Sequence, residues 1–168
     1  PFRRTRERSL AAASSILATS RKRTTKPLTV FSAMSLNCAT ELLDRRIDEG
    51  RGERLCLRAP GGVSWTFADL QQRANRIANV LVNDMGLVPG NRVLLRAPNN
   101  PMLVACWFAV MKAGGVAVAT MPLLRAKELR KVIAKARVSH ALCDLRLIDE
   151  LRAEIRSIAG DEYESYRK

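Results

Sequence analysis

Residues 91–122 read NRVLLRAPNNPMLVACWFAVMKAGGVAVATMP, and this stretch decides the fold. Arg92 to Arg96 is a short apolar run of strand character, opened by the Pro89-Gly90 turn. Asn99-Asn100-Pro101 then presents a capping side chain followed by proline at a first helical position, where a missing N–H costs nothing. The apolar run Met102 to Ala113 is read as a buried helix, stopped by Gly114-Gly115. Val116 to Thr120 is a second strand, almost wholly apolar. Strands that read as continuous rather than alternating apolar runs belong to parallel sheets covered on both faces.

The same pattern extends in both directions. Downstream, Arg125 to Arg137 places Leu129, Val132, Ile133 and Ala136 at helical spacing, Val138 to Cys143 reads as a strand, and Leu145 to Ile158 as a last amphipathic helix. Upstream, Arg54 to Arg58 and Val63 to Phe67 flank Ala59-Pro60-Gly61-Gly62, a hairpin signal. Thr66, with Asp69 three residues on, is an N-cap candidate for a helix to about Met85 that Gly86 stops. A first helix is expected over Asn37 to Glu49, ended by Gly50 and Gly52. The fold class is therefore α/β, a layered and mostly parallel sheet with helices on both faces.

Composition bounds the function. The chain has 168 residues, 47% hydrophobic and 27% charged, as in a soluble globular protein. Its longest apolar run falls well short of the roughly 20 residues that cross a bilayer, so no membrane span is expected. The net charge is +13, but residues 1–33 hold eight basic residues against Glu7 and carry +7 of it. The body has few aromatics and no basic run interleaved with them, which argues against specific nucleic-acid binding. Cys38, Cys56, Cys106 and Cys143 form no Cys-x-x-Cys pair, which favours a reducing, cytoplasmic compartment without a disulfide framework.

Three segments follow. Residues 1–33 are a basic extension rich in Arg, Ser, Thr and Ala, expected to be disordered. It is read as extra sequence ahead of Met34, with an organellar transit peptide or a functional basic arm as alternatives. Residues 34–158 form the folded body, and 159–168 a polar tail.

Chemistry-bearing patterns are scarce. Lys112-Ala113-Gly114-Gly115 ends a helix, where carbonyls face outward and an anion is repelled, so it is no phosphate cradle. His140 and Cys143 lie on opposite faces of a strand. Asp69, Asp84, Asp144, Asp149 and Glu150 make no acid–base pair. Arg96 and Arg125 follow strands at their carboxyl ends, where open α/β sheets bind ligands, and have a positional claim only. No residue is assigned a catalytic, cofactor-binding or metal-binding role.

Two segments carry a family resemblance. Ser64-Trp65-Thr66-Phe67-Ala68-Asp69-Leu70 is similar to the Thr-Tyr-x-Glu-Leu element of AMP-forming acid–CoA ligases of the adenylate-forming superfamily, with Phe67 for Tyr and Asp69 for Glu. Met111-Lys112-Ala113-Gly114-Gly115-Val116 through Met121-Pro122 resembles that family's Leu-Lys-Ala-Gly…Pro element. The wording of Ala97 to Met102 and of Ala119 to Leu124 looks most like benzoate- and 2-aminobenzoate-type aryl-CoA ligases. The resemblance covers about Leu36 to Glu154.

It implies the N-terminal subdomain of that fold, incomplete here, and for the full-length family ATP, magnesium and CoA acting on a carboxylic acid. The family's phosphate loop, acid pocket, ribose-binding Asp and catalytic Lys follow the matched elements and have no counterpart among these residues. An N-terminal fragment, inactive alone and prone to self-association through an open sheet edge, is thus expected. Two alternatives are a non-catalytic α/β interaction module that complements a separate catalytic chain, and a protein that binds anionic surfaces through residues 1–33.

Overall fold

The computed structural model describes residues 36–159, with side chains to Glu154. The expectations for residues 1–33, and for the tail beyond Ala159, lie outside the described residues.

The first helix, α1 (residues 40–48), opens as a π-helical turn Thr40–Asp44 and continues as the α-helix Arg45–Asp48. The hairpin follows as β1 (Leu55–Ala59) and β2 (Val63–Thr66), antiparallel, joined by a 3-10 turn over Pro60–Gly62. Helix α2 (Phe67–Asn79) starts where the Thr66 capping box predicts. The Asp69 amide donates to Thr66 Oγ1 at 3.1 Å, and the Thr66 amide to Asp69 Oδ2 at 3.0 Å. A π turn, Val80–Asp84, carries α2 to its end.

The parallel sheet has three strands, β3 (Arg92–Arg96), β4 (Val116–Thr120) and β5 (His140–Cys143), in the order β4-β3-β5. Helix α3 (Pro101–Lys112) links β3 to β4, and α4 (Ala126–Ala136) links β4 to β5. β4 and β5 lie on opposite sides of β3. Right-handed crossovers therefore put α3 and α4 on opposite faces of the sheet. A 3-10 turn (Leu145–Leu147) leads into α5 (Ile148–Ala159), which packs on α4. The layered α/β class read from the sequence is the class observed.

Strand alternation splits the core in two. Val93 and Leu95 point into an apolar cluster with Leu43, Leu70, Leu81, Phe108 and Val110, all buried, where α1, α2 and α3 meet. Leu94 and Arg96 point the other way, toward Leu129 of α4 and Leu151 of α5, also buried. Gly115 lets these layers close. A Cβ there would lie 3.0 Å from Val110 Cγ1 and 3.2 Å from its carbonyl oxygen.

Several boundaries differ from the sequence expectation by a residue or more, and two of the shifts have a clear local cause. Strand β5 begins at His140 rather than Val138, because the preceding residues close helix α4. Arg137 adopts the left-handed conformation (φ 51°) and the Val138 amide returns to the Ile133 carbonyl at 3.1 Å, a helix stop made without glycine. The last helix begins at Ile148 rather than Leu145, because Asp144 accepts the Arg146 amide at 3.0 Å and holds a 3-10 turn.

Candidate functional site

Ligands of open parallel sheets bind at the carboxyl ends of the strands, and both described cavities lie there. The larger, a cleft of about 290 Å³, is bordered by Arg96, Arg125, Arg146, Asp149 and Glu150 with Leu123, Leu124 and Leu147. Its volume is at the lower limit of the roughly 300–1,000 Å³ of small-molecule sites. The smaller, about 180 Å³, runs between α3 and the end of β5 beside Leu95, Met102, Cys106 and Leu142.

Arg96 dominates the first cleft and explains its shape. It closes the apolar run Val93-Leu94-Leu95 and is 1% exposed. Its guanidinium donates to four main-chain carbonyls. Nε reaches Leu147 O at 3.2 Å, Nη1 reaches Met121 O at 3.1 Å, and Nη2 reaches Pro122 O at 3.1 Å and Leu124 O at 2.8 Å. The loops after β4 and β5 are thus stapled to β3. A fork whose donors are occupied by carbonyls is a scaffold device and holds no substrate anion.

The neighbouring charges are likewise engaged. Arg125 Nη1 donates to Glu150 Oε1 at 2.8 Å. The other oxygen of Glu150 accepts the Ala126 amide at 2.9 Å, so α5 caps the first turn of α4. The Arg125 guanidinium, and then the Ala126 amide, hold the Glu150 carboxyl below its ordinary range. Arg146 donates to both oxygens of Asp144, at 2.9 and 2.8 Å. Those bonds, with the Arg146 amide, pull Asp144 down to about 2. Glu154, 3% exposed, is bound by Arg130 from α4, at 2.7 Å from Nε.

The remaining candidates are structural. Lys112 Nζ bonds Asp44 Oδ1 and, at 2.7 Å, Asn75 Oδ1, while Gln71 Nε2 donates to the same Asp44 oxygen at 2.8 Å. This knot ties α1, α2 and α3. His140 Nε2 donates to the Met85 carbonyl at 3.0 Å, and Cys143 Sγ to the Asp144 carbonyl at 3.3 Å. Burial pushes both the Cys106 and Cys143 thiols up to about 11, the state of inert packing thiols. Asp69 caps α2, and Asp84 and Asp149 are exposed. Among the described residues no cluster of His, Cys, Asp or Glu could hold a metal ion, and no helix is long and apolar enough to cross a membrane.

What sequence reading missed is the role of Arg96 and the burial of Glu154. The available signal was a charged residue directly continuing an apolar strand, Val93-Leu94-Leu95-Arg96.

Similarity to known proteins is extensive but partial. The AMP-binding enzyme family matches residues 43–165. A 3-hydroxybenzoate–CoA/4-hydroxybenzoate–CoA ligase of Thauera aromatica is 31% identical over 128 residues, 76% of this chain and 23% of that enzyme. A salicyl-AMP ligase / salicyl-S-ArCP synthetase of Mycobacterium tuberculosis is 41% identical over 70 residues, 42% of this chain and 12% of that protein. Among solved structures, a benzoate CoA ligase from Burkholderia xenovorans LB400 matches with a TM-score of 0.66 and 25% identity, over 74% of this chain and 24% of that one. The chain spans less than a quarter of the length of each of these three proteins.

Proposed function

We propose that this chain, which belongs to the AMP-binding enzyme family, is the N-terminal scaffold of an AMP-forming carboxylic acid–CoA ligase acting on an aryl or acyl acid. The full reaction would convert the acid with ATP to an acyl-adenylate and pass the acyl group to the thiol of CoA. One observation carries the reading. The β3–α3–β4–α4–β5 unit around Arg96 lies within residues 43–165 that match the AMP-binding enzyme family, the chain is similar in fold to a benzoate CoA ligase over 74% of its length, and the relatives named above are a hydroxybenzoate–CoA ligase and a salicyl-AMP ligase.

The described residues do not fit ATP or magnesium. The guanidinium groups of Arg96, Arg125 and Arg146 are bonded within the chain, and Gly114-Gly115 stands at the carbonyl end of a helix. The chain's own residues align the strands, close the loops at their carboxyl ends and exclude water from the layers beneath. The donor set that stabilises phosphoryl charge must be supplied by other parts of such an enzyme, and the described residues alone are proposed to be inactive. Four free thiols suit a reducing compartment, and a cytoplasmic location is part of the same proposal.

The test is complementation. A benzoate–CoA ligase shortened by the matching segment is mixed with the 168-residue chain, and AMP release is followed with benzoate, 2-aminobenzoate and hydroxybenzoates. The expected result is no AMP from either part and aryl-acid-dependent AMP from the mixture. AMP formation by the chain alone would overturn the inactive-scaffold reading. A mixture in which the chain is folded yet AMP never appears would overturn the ligase reading.

A further inference from the structure

We draw no further inference here: the strongest candidate, the cavity of about 180 Å³ between α3 and the carboxyl end of β5 beside Leu95, Met102, Cys106 and Leu142, is bounded only by the described residues of a chain that spans less than a quarter of the relatives named above, and nothing in the structure shows what covers it.

Discussion

On the face of the sheet that meets α2 and α3, Val93 and Leu95 enter a continuous apolar cluster. On the face that meets α4 and α5, the same strand presents Leu94 and then Arg96, and buried Glu154 lies on the same side. The first face is closed by volume: its strength is the sum of many dispersion contacts and of area withdrawn from water. The second is closed in large part by directed bonds, four donated by one guanidinium and two accepted by Glu150. Faces built so differently should fail differently. Volume lost from an apolar cluster is felt locally and in proportion. A hub removed from a hydrogen-bonded rim leaves several buried groups unpaired at once.

The sharpest way to break this comparison is Arg96→Met, which keeps length and burial but removes every donor. Loss of about 3–5 kcal/mol in urea unfolding is expected, comparable to breaking a buried charged network. Arg96→Lys should recover little, since an ammonium cannot reproduce the fork. Wild-type stability in the Met variant would show that this face too is held by volume. Leu95→Ala on the opposite face should cost about 2–5 kcal/mol through its cavity, without changing the pH profile.

Acid sharpens the contrast further. Asp144 and Glu150 have folded-state pKa values pulled down by Arg146 and Arg125 respectively. A depressed pKa contributes stability that is complete above the unfolded value, near 4, and is lost as pH falls through the folded value. For Asp144 that window closes at about 2. Hydrogen exchange between pH 4 and 2 should therefore show α4, α5 and the loops after β4 and β5 opening first. On the other face Asp69, held down chiefly by its bonds with Thr66, confines the effect to the start of α2. Uniform loss of protection across both faces would refute the division.

The smallest expected effect is a gain. Arg137 occupies the left-handed region at φ 51°, where a side chain is strained. Arg137→Gly should add about 1 kcal/mol to stability in the same urea measurement.

Sequence legibility followed the same division. The bounds of β3 and β4, the hairpin and the Thr66–Asp69 cap were readable because each is written in neighbours: an apolar run, a glycine pair, a capping spacing. The start of β5 was misplaced because Arg137 closes its helix without the glycine that usually marks such a stop. The role of Arg96 was not readable at all. Its partners lie 25 to 51 residues away, and periodicity carries no information on bonds across that separation. Its place at a strand's carboxyl end instead suggested a ligand contact. Arg125 drew the same suggestion and is bound by Glu150, a partner equally remote in the sequence.

Arg96 also sets an order of events. Its bonds require β3 to be formed, the loop after β4 to be in position, and the chain beyond β5 to have returned to the sheet. Nothing that distant can close until the crossovers have docked, so the staple is a late event in folding and an early one to break. Weakening it should leave the rate of folding nearly unchanged and act mainly by hastening unfolding. The lifetime of the native state, rather than the speed of reaching it, is what this one side chain governs.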